Sequence, residues 1–371
     1  MKKNLLFSAL LCAALSSGAQ VPYNAAAPNG YTKKASVSEQ VGLTNVTISY
    51  HRPAVNGRAG RIWGGVVHQG FTDQGFGSRR PAPWRAGANE NTLIEFDQDV
   101  RIEGQTLPRG RYALFVAYDP AMSTVIFSKN TDGWGSFFYD EGADALRVRV
   151  APVPLATSVE HLKYEFTAQA PGSAQVALQW ERLSIPFTVS VDHLKQQFAA
   201  FAAEARNPRG FTAQGLTVAA NWCLQNNYEL EAALAWAGTA TGTAFPGNPA
   251  SFAALSTKAA LLNKLGRSDE AAAVIKGALP FGSTAELQQL GRQLIAARKP
   301  KEALEVFQFS YTKNGEGFGT LTGMARGLSA TGNYTEALKY AEKALPLAPN
   351  DAARSAVQQM LDRLKAGSDV N

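Results

Sequence analysis

Near Asp192 the hydrophobic period of the chain changes. Before it, apolar residues alternate singly with polar ones; after it, they recur at spacings of three and four. Alternation places every second side chain on one face of a strand, whereas the longer spacing draws a stripe along a helix. A chain that switches once must build its sheets first and its helices second, each with its own buried layer. Two different architectures in one polypeptide are therefore expected.

From about Ala35 to Val191 the period is two. Val46, Ile48 and Tyr50 oppose Thr47, Ser49 and His51, and Leu146, Val148 and Val150 oppose Arg147 and Arg149. The same alternation runs through Leu162, Tyr164 and Phe166 against Lys163 and Glu165, then through Val176, Leu178 and Trp180, and through Ile185, Phe187 and Val189. Each strand is predicted to keep one wet face. Glu103-Gly104, Pro108-Arg109-Gly110, Asp132-Gly133 and Pro171-Gly172 interrupt the runs as hairpin connections do. Eight or more antiparallel strands in about 160 residues predict a β-sandwich or jelly-roll-like domain, with a barrel as the alternative.

Beyond Val191 the pattern is helical. Asp192 suits a helix cap; Leu194, Phe198, Phe201 and Ala202 form one stripe, and Asn207-Pro208-Arg209-Gly210 ends it, so 192–210 reads as a linker helix and turn. Glu231-Ala232, Glu270-Ala271, Glu302-Ala303 and Glu336-Ala337 follow at intervals of 39, 32 and 34 residues. Such a period marks stacked helical hairpins. Gly332-Asn333-Tyr334-Thr335-Glu336-Ala337-Leu338, then Ala344-Leu345 and Pro349, resemble a tetratricopeptide repeat. The two preceding units keep the packing shape with Leu287, Leu290, Gly291, Leu294, Ala303, Leu304 and Phe307, and with Leu255, Ala259, Leu262, Ala271 and Ile275. The earliest, with Leu216, Ala219, Ala220, Cys223, Ala232 and Trp236, is degenerate and is followed by a Gly/Thr/Pro-rich loop through Pro249. The resemblance implies an α-helical solenoid over 211–366, with a tail at 367–371 and a concave face that recruits a protein partner.

The first residues carry a separate message. Lys2-Lys3, an apolar run from Leu5 to Leu15 and the small residues Ser17-Gly18-Ala19 form a secretory signal over 1–19, with cleavage expected after Ala19. Leu11 precedes Cys12 where a lipoprotein anchor calls for a small residue, so Cys12 is expected to leave with the signal. Cys223 then remains alone, and stability must come from the cores. Residues 20–34 read as a flexible lead-in, and 35–191 as the β domain. The net charge of +6 falls to +4 without Lys2 and Lys3 and is spread over the chain, which argues against nucleic acid. No later run approaches a membrane span. Export to the periplasm or beyond the cell is the expected destination.

The strand half also resembles a known family. Lys34-Ala35-Ser36-Val37, Gly42-Leu43-Thr44-Asn45-Val46, Tyr50-His51-Arg52-Pro53, Gly57-Arg58, Ile62-Trp63-Gly64-Gly65, Trp84-Arg85-Ala86-Gly87-Ala88-Asn89-Glu90 and Trp134-Gly135-Ser136-Phe137 through Tyr139-Asp140 are similar to the bacterial domain-of-unknown-function family 2911. The segment from His68 to Pro83 is longer than the link that family uses. The resemblance implies fold and export, and no chemistry.

Arg52, Arg58, Arg61, Arg85, Asn89 and Glu90 are the polar cluster with the best claim to a site. Arginine offers a planar fork of donors that grips a carboxylate or phosphate, and Gly87 permits close backbone approach. Arg52, Arg58, Trp84, Arg85, Asn89 and Glu90 are therefore candidate ligand-binding residues. The competing reading pairs Arg85 or Arg52 with Glu90 to tether the loops, with Trp63 and Trp84 packed beneath. His51, His68, His161 and His193 lack close metal-ligand spacing; a metal held by His51 and His68 with Glu90 or Asp73 is conceivable, but no metal or cofactor is expected. No Gly-x-Ser-x-Gly elbow occurs, and Asp140, Glu141 and Asp144 read as a solvated turn. Trp63, Trp84 and Trp134 sit beside glycines, where rings could stack on a sugar or peptide, whereas Trp180 reads as core. The expectation is a non-enzymatic binding protein: an anionic or glycan ligand on the β domain, a protein partner on the repeats. The alternative is a hydrolase-like enzyme with its site around His51, Arg85 and Glu90.

Overall fold

The computed structural model describes residues 32–242 and 251–371. The expected signal with Cys12, the lead-in up to residue 31 and the glycine-rich stretch at 243–250 lie outside the described residues. The chain divides into two compact units, one ending at His193 and one beginning at Leu194.

The first unit holds two antiparallel sheets. Six strands form one: β1 (Lys33–Val41), β2 (Thr44–Arg52), β3 (Thr92–Phe96), β6 (Gly110–Ala117), β7 (Ser123–Ser128) and β8 (Asp144–Val150), in that spatial order. The other runs β5 (Gln105–Leu107), β4 (Val100–Ile102), β10 (Ser173–Ser190), β9 (Val153–Ala170). One apolar cluster draws on both: Val46, Ile48, Ile94, Leu114 and Phe127 from the first, Ile102, Leu162, Leu178, Trp180 and Phe187 from the second. Val46, Ile48, Leu162, Leu178, Trp180 and Phe187 among them are residues that alternation marks as one face of a strand. Burying such side chains contributes about 1.5 to 3 kcal/mol each, and their directionless attraction holds the sheets together.

Three features depart from the alternating expectation. β6 and β7 are buried on both faces, because long loops lay Ala82 and Tyr139 over Ala113, Phe115 and Ile126. His51, expected on the wet face with Thr47 and Ser49, is only 2% exposed. Of the interruptions, Glu103-Gly104 and Pro171-Gly172 do join hairpins, β4 to β5 and β9 to β10. Pro108-Arg109-Gly110 instead carries the chain from one sheet to the other, and Asp132-Gly133 lies in the long loop between β7 and β8.

The second unit is helical: α1 (His193–Glu204), α2 (Ala213–Asn226), α3 (Leu230–Ala240), α4 (Phe252–Lys264), α5 (Ser268–Ala278), α6 (Thr284–Ala296), α7 (Pro300–Asn314), α8 (Phe318–Ala330), α9 (Tyr334–Ala344) and α10 (Asp351–Lys365). Helices α2 to α9 pair consecutively as hairpins. Ala271, Ala303 and Ala337 are buried at the crossings, where a small side chain lets backbones approach. In the earliest unit the buried residue is Ala233, not Ala232. Ala233, Ala237 and Ala240 share one face of α3, so the Glu-Ala pair there is one residue out of register and the spacing of crossing alanines is 38, 32 and 34. Phe198 of α1 stacks on Trp236 and meets Tyr228 edge-on, while Phe201 meets Trp222. Cys223 is buried among Ala220, Ala233 and Ala237, and burial, with the nearby Glu229, pushes its thiol up to about 11. No described helix is long and apolar enough to cross a membrane.

Candidate functional site

The Trp84–Glu90 segment is a loop locked from within. Trp84 is buried; its ring stacks on Trp180 at 6.1 Å, meets Trp63 edge-on at 5.7 Å, and its Nε1 donates to the Gly87 carbonyl at 3.2 Å. Ala86 has a φ of 52°, a conformation that costs a non-glycine residue about 1 kcal/mol. Its carbonyl is held there by two donors, the hydroxyls of Tyr164 at 2.8 Å and Thr92 at 3.0 Å. At Gly87 a β-carbon would lie 2.6 Å from Thr92 Oγ1, so only glycine fits without displacement. The loop's shape thus follows from hydrogen bonds and close packing specific to its sequence.

This loop presents Asn89 and Glu90 to the end of β2. The Asn89 amide donates to His51 Nδ1 at 3.2 Å and to Thr32 Oγ1 at 3.0 Å, and the Glu90 carboxylate pairs with His51 Nε2. An amide nitrogen only donates, so Nδ1 is the acceptor of that bond. Of the two ring nitrogens, Nδ1 has a hydrogen-bond partner in Asn89, while Nε2 meets Glu90 only as a close charge contact. Arg85 Nη1 donates to the Asn89 carbonyl at 3.0 Å while its guanidinium lies over the Phe137 ring at 5.8 Å. Burial lowers the pKa of Arg85. The partner of Glu90 is the histidine rather than either arginine.

The remaining candidates sit apart. Arg52 Nε donates to the Leu162 carbonyl at 3.1 Å; Arg58 donates to Val55 at 3.0 Å and Ala54 at 2.6 Å; Arg61 reaches Gly57 at 3.3 Å. Arg58 and Arg61 thus close local turns, whereas Arg52 ties the end of β2 to β9. His68 contacts Gln74 at 3.1 Å, and burial lowers its pKa. Asp73 faces Arg79 at 3.7 Å. Among the described residues, no group of three or more histidine, cysteine, aspartate or glutamate side chains is gathered to hold a metal. The turn expected to be solvated is only partly so. Asp144 is nearly buried and receives the Tyr139 hydroxyl at 2.6 Å and Arg147 Nε at 2.7 Å. Burial raises its carboxyl against the lowering pull of those two donors.

What the two long loops build is an aromatic face. Ser78 N–H donates to the Phe137 carbonyl at 2.9 Å, fastening the 68–83 segment to the 129–143 segment. Phe76 then meets Phe137 at 5.4 Å and Phe138 at 6.3 Å, and Phe71 meets Tyr139 at 6.2 Å under the Arg147 guanidinium. Phe76 is 64% exposed and Phe138 56%, with Phe71 and Trp134 also exposed. Trp134 bridges to Glu90, so the locked loop and the aromatic face adjoin. Sequence reasoning singled out Trp134 but not Phe71, Phe76, Phe137 or Phe138. The available signal was the setting of phenylalanines among glycines and serines in unpatterned segments, Gly70-Phe71, Gly75-Phe76-Gly77 and Ser136-Phe137-Phe138.

No curated protein matches the chain. Solved repeat proteins align with part of it. A protein from Podosopora anserina with nearly identical TPR-like repeats is 18% identical over 42% of this chain and 85% of that one, with a TM-score of 0.31. A tetratricopeptide repeat protein from Parabacteroides merdae ATCC 43184 is 20% identical over 47% of this chain and 68% of that one, at 0.31. YrrB, described as a TPR protein with an unusual peptide-binding site, is 20% identical over 46% of this chain and 86% of that one, at 0.30. The strand unit is the part with a sequence family: residues 32–189 match the model of the family described as Protein of unknown function (DUF2911).

Proposed function

We propose that the chain is an exported, non-enzymatic binding protein whose β unit recognises an extracytoplasmic ligand and whose helices recruit a protein partner. The observation that carries the first part is the exposed cluster of Phe71, Phe76, Trp134 and Phe138, assembled by two loops and backed by Arg85 and Arg147. Monomeric proteins seldom leave several large aromatic side chains together in water without a use for them. Rings beside guanidinium groups suit a ligand with flat apolar faces and negative charge, such as an anionic glycan. Arg85, Asn89 and Glu90 then serve as positioning residues, setting the loop from which Trp134 is displayed. The burial of His51, with Nδ1 taken by Asn89, favours this reading over a hydrolase-like site.

Recruitment through the helices is supported by their consecutive hairpins with alanine at the crossings, an architecture that presents long surfaces. Export is supported by Lys2-Lys3, the apolar run and Ser17-Gly18-Ala19. The test of ligand recognition is retention of the protein on immobilised anionic and neutral polysaccharides, wild type against Phe76→Ser and Phe138→Ser. Retention on the anionic matrix is expected to fall in both variants with melting unchanged. Equal retention of wild type and variants, or none at all, overturns the reading.

A further inference from the structure

The segment after α10 turns back onto α8. Gly367, with a φ of 69°, ends α10, and Ser368 N–H donates to the Arg363 carbonyl at 2.9 Å. The next three residues each bond to α8, the first two through the Ser329 hydroxyl and the third through the Arg326 carbonyl. The Asp369 carboxylate accepts from the Ser329 hydroxyl at 2.7 Å; Val370 N–H donates to Ser329 Oγ at 3.0 Å; the Asn371 amide donates to the Arg326 carbonyl at 3.1 Å. The Val370 side chain is buried in the cluster formed with α8, α9 and α10. A carboxylate, an aliphatic side chain and an amide are thus read in sequence by one helix face.

That face continues on α6 with features the segment does not use. Burial, and then the charge of Arg292 on α6, lower the pKa of Arg326, with Asp369 the acidic group that opposes them. Gln288, one turn before Arg292, is 7% exposed, and its amide nitrogen is buried without a hydrogen-bond partner. It lies over Gly323 of α8, where a β-carbon would come 2.1 Å from that nitrogen. That nitrogen faces the packing of α6 on α8 beside Phe307, whereas the two neighbouring guanidinium groups call for negative charge.

We propose that α6 and α8, through Arg292, Arg326 and Ser329, dock an extended peptide of a partner protein carrying an acidic residue followed by an aliphatic one. Asp369-Val370-Asn371 is the intramolecular copy of that ligand, and the partner must displace it. The inference rests on the reading of the helices as the recruiting unit and names the chemistry recruited. A tethered segment competes at an effective concentration of the order of millimolar, so it weakens any peptide that lacks the additional contacts on α6.

The probe is a fluorescein-labelled peptide with the sequence of residues 365–371, titrated by anisotropy against the chain lacking residues 368–371 and against the intact chain. The shortened chain is expected to bind at least tenfold more tightly than the intact one, and alanine in place of the peptide's aspartate to weaken binding at least tenfold. A shortened chain with unchanged circular dichroism that shows no binding up to about 1 mM overturns the proposal, as does binding indifferent to the aspartate. Should the deletion unfold the helices, the intact chain with Asp369→Asn replaces it. That variant is expected to bind the peptide more tightly than wild type, and equal binding overturns the proposal. Such a failure removes this site alone; recruitment through another helical face would still be seen as capture of a partner by Asp369→Asn and wild type alike.

Discussion

The locked loop makes a sharp energetic prediction at Gly87. Gly87→Ala adds a β-carbon 2.6 Å from Thr92 Oγ1, with the His51 and Arg85 carbonyls next nearest at 3.5 and 3.9 Å. Thr92 is fully buried, so it cannot swing aside into solvent. Overpacking of this kind costs about 1 to 3 kcal/mol. Pushing the hydroxyl away also breaks its bond to the Ala86 carbonyl, about 1 kcal/mol more, although Tyr164 still donates there. For a unit of this size, where 1 kcal/mol corresponds to roughly 2 to 4 °C, the melting temperature should fall by about 5 to 15 °C in calorimetry. Gly277→Ala, on α5 with nothing within 4 Å, is the control and should gain up to about 1 kcal/mol from helix propensity. Thr92→Ala removes the obstructing oxygen, so Gly87→Ala made in that background should cost at least 1 kcal/mol less than in wild type, roughly, by a double-mutant cycle. Additive losses in the two substitutions would refute the packing argument, and with it the account of how Asn89 and Glu90 are aimed at His51.

Four further outcomes are expected. Ala337→Trp places a large ring where the side chain is fully buried at the α8–α9 crossing, and should lower the melting of the helical unit by the equivalent of about 1 to 3 kcal/mol; an unchanged melt would mean that the repeat register is shifted. Arg85→Ala leaves the Asn89 carbonyl without this donor and Phe137 without its cation, so amide exchange at Ser78, whose N–H bonds the Phe137 carbonyl, should accelerate while Glu90→Gln, which keeps the loop's backbone bonds, should disturb it less. Protein recovered from its native host should begin at Gln20, and Edman sequencing that finds Met1 on soluble material would refute export. Burial would raise the Asp369 carboxyl, yet the bonds from Ser329, Asn371 and Val370 hold it below its usual range. The tail contact is therefore fully present above the ordinary value of about 3.9 and is lost as pH falls through the lower folded value, which the Val370 amide resonance should report.

Which residues face a core was legible wherever the period was local and unbroken. Ile48, Val148, Leu162, Leu178 and Phe187 are buried where alternation puts them, and Ala303 and Ala337 where the repeat puts them. Around the site the reading weakened for a physical reason. His51 has the alternation of a wet residue, and only the arrival of a loop nearly forty positions away, with Asn89 and Glu90, makes its burial tolerable. Trp84 has the glycine neighbours of a displayed ring but lies against Trp180, whose strand is remote in sequence. Ala232 and Ala233 are equivalent in composition, and the turn that opens α3 decides which of them meets α2 and α4.

Sequence alone determined the two architectures and the inner face of most strands and helices, because each depends on a repeat spacing that backbone geometry imposes within a few residues. Tertiary structure decided what the loops do: that two of them converge to expose Phe71, Phe76 and Phe138, that a histidine rather than an arginine answers Glu90, and that the last residues lie on α8. Those outcomes depend on contacts between segments with no common period, whose energies exist only once the sheets and helices have brought them together.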